Sequence, residues 1–156
     1  MSAPEFRPMK KPRAVAKTGL PVPTEHAEQV HVVEWAAWRA SRDRRLGNLF
    51  AIGNGGLRPA RLVQTAGGVR RVSVVGRKLK SEGMKEGVPD LFLAWPSNGQ
   101  PGLFVEMKRA TGGRLSPAQK EWRERLTRAG YAWRCAKGAD EAIREIEAYL
   151  EPQAPE

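Results

Sequence analysis

Two apolar runs of strand length, Val88-Pro-Asp-Leu-Phe-Leu-Ala-Trp95 and Leu103-Phe-Val-Glu-Met-Lys-Arg109, flank the turn-forming stretch Pro96-Ser-Asn-Gly-Gln-Pro-Gly102. That pattern reads as an antiparallel hairpin. Side chains alternate along a strand, so Glu106 and Lys108 share one face while Val105 and Met107 point into the other layer. With the turn near Asn98-Gly99, Asp90 is expected roughly opposite Lys108 and diagonal to Glu106. Whatever fold the rest of the chain makes must accommodate two carboxylates and an ammonium on one face of an otherwise apolar hairpin.

The flanking sequence supplies helices and further strands. Thr24 is an N-cap for an amphipathic helix over 25–42, with Val30, Val33, Ala37 and Trp38 at helical spacing. Leu49-Phe-Ala-Ile52 reads as a short buried strand ending at Gly53-Asn-Gly-Gly56. Residues 57–73, with Arg58, Arg61, Arg70 and Arg71 around Gly67-Gly68, suit an exposed basic loop or hairpin, and 74–82 a short basic helix. Ser116-Pro117 with Gln119 three residues after the cap forms a capping-box pattern for a helix to about Ala129, stopped by Gly130. Tyr131–Ala136 is a third strand of this half, and Asp140–Leu150 a last helix with Ile143, Ile146 and Leu150 on one face. The order predicts a small α/β domain, a mixed sheet flanked by helices, over residues 24–150. Residues 1–23, with Pro4, Pro8, Pro12, Pro21 and Pro23, read as a flexible basic arm, and 151–156 as a loose tail.

Charge identifies the class of partner. The chain carries 27 Lys and Arg against 17 Asp and Glu, net +10. Residues 39–85 hold twelve basic and two acidic groups, so the excess is a patch that favours a polyanion. A 40% hydrophobic content excludes a wholly disordered basic tail, and no apolar run reaches a membrane span. The N-terminal residues lack the apolar core of a secretory signal. A single cysteine, Cys135, excludes an internal disulfide and a cysteine-based zinc site, and points to a reducing, cytoplasmic setting. Cys135, in an apolar strand, is expected in the core. His26 and His31, five residues apart, share no helix face, and Gly53-Asn-Gly-Gly56 lacks the Gly-Lys-Ser/Thr ending of a phosphate-binding loop, so no nucleotide cofactor is expected. Trp35, Trp38 and Trp122 suit helix packing; Trp95, near the hairpin tip, is the one tryptophan placed for nucleic-acid contact.

A Glu-x-Lys pair alone is an ordinary solvated strand face, with a weak ion pair of about 0–1 kcal/mol. Here it interrupts an apolar strand and is matched by an acid across a hairpin. Hard Mg2+ or Mn2+ needs only one or two carboxylates when phosphate and water fill the other positions, and such an ion activates water against a phosphodiester. Lys108 is placed to orient that water or to stabilise charge on the phosphate.

The runs Gly87-Val-Pro-Asp-Leu-Phe-Leu, Gly102-Leu-Phe-Val-Glu-Met-Lys and Gly112-Gly-Arg-Leu-Ser-Pro-Ala-Gln-Lys-Glu-Trp122, with Leu126 to Tyr131, closely resemble the VRR-NUC domain of the PD-(D/E)xK nuclease superfamily. The resemblance extends upstream to Asn54-Gly55-Gly56, Lys78-Leu-Lys-Ser-Glu-Gly83 and Thr24-Glu25-His-Ala-Glu-Gln29. It implies a restriction-endonuclease-like core with Asp90 and Glu106 as metal-binding acids, Lys108 as the catalytic lysine, Gln119 as the glutamine of the following helix, and Glu25 (with Glu28 nearby) as a supplementary metal acid. Residues 57–77 are longer than the usual connection in that family.

The expectation is therefore an Mg2+- or Mn2+-dependent, structure-selective endodeoxyribonuclease. The resemblance implies small phage or bacterial proteins acting as homodimers on branched DNA such as four-way junctions, with a cytoplasmic location. Arg58, Arg61, Arg70, Arg71, Arg77, Lys78, Lys80 and Lys85 are the expected phosphate contacts. The alternatives are a non-catalytic DNA-binding module of the same fold, or a nuclease serving restriction or nick processing.

Overall fold

The computed structural model describes residues 23–53, 61–65, 67–72 and 81–152. Helix α1 (Glu25–Arg39) starts where Thr24 accepts a hydrogen bond from the Ala27 N–H at 3.1 Å. A single 3-10 turn (Arg44–Asn48) leads into strand β1 (Leu49–Ala51). Strands β2 (Arg61–Thr65) and β3 (Gly68–Val72) pair only with each other, as the expected basic hairpin. Then come β4 (Leu91–Leu93), β5 (Leu103–Lys108), α2 (Pro117–Arg128), β6 (Ala132–Lys137) and α3 (Ala139–Leu150). The main sheet runs β1-β4-β5-β6, antiparallel except for the parallel β5–β6 pair that α2 connects.

Leu91, Leu93, Leu103, Val105 and Met107 line one face of this sheet and pack against Val32 and Ala36 of α1 and Ala142, Ile146 and Leu150 of α3. The opposite face carries a ring cluster, with Phe92 stacked on Phe104 at 4.3 Å and Phe50 and Tyr131 edge-on to it. Helix α2 lies over the β6 side of that second face, where Arg123 stacks on Trp133. It ends at Gly130, whose φ of +89° opens the turn, and the Tyr131 N–H bonds back to the Leu126 carbonyl at 3.0 Å. The hairpin tip turns at Asn98-Gly99, both with positive φ. The Tyr149 hydroxyl anchors the tip to α3 by accepting from the Ser97 N–H at 3.1 Å and reaching the Trp95 carbonyl at 2.8 Å.

Several expectations change here. Helix α1 ends at Arg39 and turns a different face inward: Val32 and Ala36 are buried, whereas Val30 and Trp38 are exposed, Trp38 by 64%. Trp38 lies under the Arg42 guanidinium instead of in the core. With Val32 and Ala36 turned inward, Arg39 at the end of α1 meets Glu147 of α3 at 3.5 Å. Strand β1 is not buried either; it is the three-residue sheet edge, paired only with β4, and Phe50 is 49% exposed. Cys135 is half-buried beside Glu106, not in the apolar core. The 1–22 arm, residues 54–60, most of the 74–82 segment and residues 153–156 lie outside the described residues. Among the described residues, no helix is long and apolar enough to cross a membrane.

Candidate active site

Strand β5 lies between β4 and β6, and α2 approaches the face that carries its charged residues. That placement buries both groups: Glu106 is 1% exposed and Lys108 7%. The Lys108 Nζ donates to Glu106 Oε1 at 2.6 Å, and the Gln119 Nε2 donates to the same oxygen. The second carboxylate oxygen, Oε2, is buried and accepts no hydrogen bond among the described residues. Gln119 reaches across because it sits in the first turn of α2, whose capping box with Ser116 is formed in both directions. Gly113 lies against the lysine: a Cβ there would fall 2.8 Å from the Lys108 Cβ.

The hairpin register differs from expectation in a way that matters. Leu91 pairs with Val105 and Leu93 with Leu103, so continuing the ladder one step sets Asp90 alongside Glu106, not Lys108. The tip bridge pairs Ser97 with Gln100, which leaves three residues, 94–96, facing two, 101–102. Without that extra residue Asp90 would align with Met107, on the core face; with it, Asp90 shares the face of Glu106. The Asp90 Oδ2 accepts the Met107 N–H at 2.8 Å, which ties the acid to β5.

Of the two acids on α1, Glu25 reaches the end of β5, its Oε1 accepting the Arg109 N–H at 3.3 Å. Glu28 instead accepts the Ala139 N–H at 2.8 Å and caps α3, whose own N-cap, Gly138, has no side chain for the purpose. Nothing local in the sequence signals that cap, because donor and acceptor lie 111 residues apart. Sequence reading also missed how α2 holds the segment that delivers Asp90. The Trp122 indole donates to the Glu86 carbonyl at 2.9 Å, and Gly87, at φ +82°, packs so close to Ala118 that a Cβ would lie 2.6 Å from its carbonyl carbon.

The electrostatics follow from burial. Desolvation pushes the Glu106 carboxyl up to about 7, with the Asp90 charge and, more weakly, Glu25 adding to the shift and Lys108 opposing it. Burial alone would lower Lys108, but its hydrogen bond to Glu106 and the charges of Glu106, Glu25 and Asp90 outweigh that and raise its pKa. Asp90, Glu106, Lys108, Gln119 and Glu25 therefore act on one another, as the sequence led one to expect. Of the expected phosphate contacts, Lys85 is exposed; the side chains of Arg58, Arg61, Arg70, Arg71, Arg77, Lys78 and Lys80 lie outside the described residues.

The central strand of a mixed sheet thus buries a Glu-x-Lys pair beside an aspartate. The family model described as "VRR-NUC domain" matches residues 56–140. A solved structure titled "VRR_NUC domain protein" is 26% identical, aligns over 84% of this chain and 93% of its own, and superposes with a TM-score of 0.60. No curated protein matches the chain. The chain belongs to the VRR-NUC family. Its matched span includes Asp90, Glu106, Lys108 and Gln119, while Glu25 lies outside it.

Proposed function

We propose that this chain is a divalent-metal-dependent endonuclease that hydrolyses phosphodiester bonds in DNA, with Asp90 and Glu106 holding Mg2+ or Mn2+. One observation carries the reading: Glu106 Oε2 is buried without a hydrogen-bond donor among the described residues, on a carboxylate already crowded by the charge of Asp90. A buried acceptor without a partner is costly, and a hard cation relieves both the missing bond and the repulsion. Among the described residues no group of three or more His, Cys, Asp or Glu is placed to hold a metal ion, so Asp90 and Glu106 would hold it with water and phosphate oxygens completing its shell.

Such an ion, when bound, supplies Lewis-acid polarisation of a phosphoryl oxygen and a water of lowered pKa. The chain's own residues do the rest. Lys108, kept protonated and pinned by Glu106, presents a fixed positive charge for the attacking water or the phosphate. Gln119 fixes the rotation of the Glu106 carboxylate. Glu25, at the end of β5, adds negative charge at the rim that favours a cation.

The finer reading is that the substrate is branched DNA, such as a four-way junction, cut by a homodimer. Paired cuts on a symmetric junction need two sites related by a two-fold, which one small monomer does not have. Arg58, Arg61, Arg70, Arg71, Arg77, Lys78, Lys80 and Lys85 are the proposed phosphate contacts, so affinity is expected to fall steeply with salt. The test is cleavage of labelled duplex, flap, splayed and junction DNAs, with and without Mg2+ or Mn2+. Metal-dependent cutting that favours junctions supports the full reading. Equal cutting of plain duplex removes the branched substrate, and no metal-dependent nicking of any form removes the enzyme. Should the chain only bind DNA, calorimetry will show no Mn2+ uptake that Asp90→Ala abolishes.

A further inference from the structure

We propose that the main-chain N–H of Ser116 is a positioning group of the site: by holding the Gln119 carbonyl oxygen it turns the NH2 end of the amide onto Glu106. With Lys108 on the same oxygen of Glu106, that arrangement leaves Oε2 for the cation. The inference rests on the metal-binding reading above.

A glutamine amide has two unlike ends, a carbonyl that accepts and an NH2 that donates. Ser116 grips both the main chain and the side chain of Gln119. Its Oγ accepts the Gln119 N–H at 3.2 Å, and its own N–H donates to Gln119 Oε1 at 2.8 Å. An N–H bonds only to the carbonyl end, so the NH2 end is turned the other way, onto Glu106 Oε1. Flipping the amide would break the bond to Ser116 and set a carbonyl oxygen against a carboxylate. Lys108 converges on the same Glu106 oxygen. Both donors thus lie on Oε1 and, among the described residues, none on Oε2, which stays buried and available.

The local sequence builds this arrangement with few parts. Ser116 has the extended backbone of an N-cap, Pro117 occupies the first turn, and Gln119 is the third helical residue, where a side chain reaches back to the cap. In an ordinary capping box that reach serves the helix alone. Here the glutamine carbonyl serves the helix and its NH2 serves the site. A glutamate at 119 would complete the same cap without offering a donor.

The experiment uses the full chain and Mn2+ alone as the probe, with calorimetry on the wild type, Ser116→Pro, Ser116→Gly, Gln119→Ala and the Ser116→Pro/Gln119→Ala double variant. Proline fits the Ser116 backbone, at φ −71° and ψ 163°, but has no N–H to hold the Gln119 carbonyl; glycine is a tolerated N-cap that loses the hydroxyl and keeps the N–H. Loss of a group that orients a metal ligand typically weakens affinity 10- to 100-fold. Ser116→Pro is therefore expected to bind Mn2+ about tenfold more weakly, Ser116→Gly within about twofold of the wild type, and the double variant no worse than Gln119→Ala. Ser116→Pro within twofold of the wild type would overturn the proposal, and so would an equal loss in Ser116→Gly or losses that add in the double variant. A second readout needs no metal: the Gln119 side-chain amide resonances in a nitrogen–proton correlation spectrum. They should move toward exposed values in Ser116→Pro and stay in place in Ser116→Gly; unmoved resonances in Ser116→Pro overturn the coupling. If the wild type takes up no Mn2+, the metal reading fails while the spectrum still decides whether Ser116 sets the amide.

Discussion

Glu106 makes the metal-free protein less stable as pH rises, and the size of the effect follows from its surroundings. Its carboxyl titrates near 7 in the folded chain against an ordinary 4.5, because burial and the Asp90 charge disfavour the ionised form more than Lys108 favours it. Between those values the folded state holds a proton that the unfolded chain has released, so stability must fall with rising pH. The contribution is fully present below about pH 4.5 and is lost as pH passes through 7. Raising the carboxyl from 4.5 to about 7, at about 1.4 kcal/mol per pH unit, gives a loss of about 3 kcal/mol. At 1% exposure there is little solvent screening to reduce it. The assay is urea denaturation in EDTA at pH 5 and pH 8.5, on the wild type and on Glu106→Gln. Glutamine does not titrate, so its own pH dependence reports every other group; the cost of leaving the Lys108 ammonium without its counter-charge is present at both pH values. The wild type should lose about 2–3 kcal/mol more than the variant across this interval, most of the shift lying above pH 5. A difference under about 1 kcal/mol, or one of opposite sign, would refute the claim that Glu106 is buried beside Asp90 at a net electrostatic cost.

Four other outcomes are expected. Lys108→Ala should lower metal-dependent cleavage by about 100-fold or more in steady-state assays, since it removes the ammonium bonded to Glu106; a twofold loss would count against the site. Gly87→Ala should cost about 2–4 kcal/mol in urea melts, because φ is +82° and the new Cβ would lie 2.6 Å from the Ala118 carbonyl carbon. Gly130→Ala, at φ +89° but with open space, should cost only about 1–2 kcal/mol. Tyr149→Phe should cost about 1–3 kcal/mol in urea melts, because it removes the hydroxyl that donates to the Trp95 and Gln100 carbonyls and accepts from the Ser97 N–H.

Local signals in the sequence were enough for the elements around the site. Ser116-Pro117 with Gln119 marks the start of α2, Gly130 its end, and Asn98-Gly99 the hairpin tip, since each depends on residues within one turn of chain. What needed the third dimension was parity. Whether Asp90 faces Glu106 or the core depends on one extra residue in the 94–96 arm, and turn chemistry at 98–99 does not set that count. The face of α1 failed for a related reason. Of the expected stripe Val33 does pack against the core, beside Val32 and Ala36, whereas Val30, Ala37 and Trp38 turn outward; the contacts that choose between these faces, with the sheet and with Glu147, are distant in sequence. The choice between Glu25 and Glu28 was likewise open, because the amides that separate them, Arg109 and Ala139, are distant in sequence.

The Glu-x-Lys pair shows what burial adds to a pattern. Alternation along β5 allowed a half-solvated strand, with Glu106 and Lys108 as its wet side and an ion pair of about 0–1 kcal/mol. Such a side would need an open face. Instead α2 brings Gln119 onto Glu106, the 109–116 loop lies against the lysine stem at Gly113, and both ions are removed from water. A buried ion pair is at best a neutral contribution to stability, and an apolar pair of similar volume would fill the space at less cost. Stability therefore gives no reason for these two residues at these positions. The unequal bonding of Glu106, two donors on one oxygen and none on the other among the described residues, gives even less. A cation on Oε2, as proposed above, would supply the reason and would offset the charge of Asp90 and Glu25.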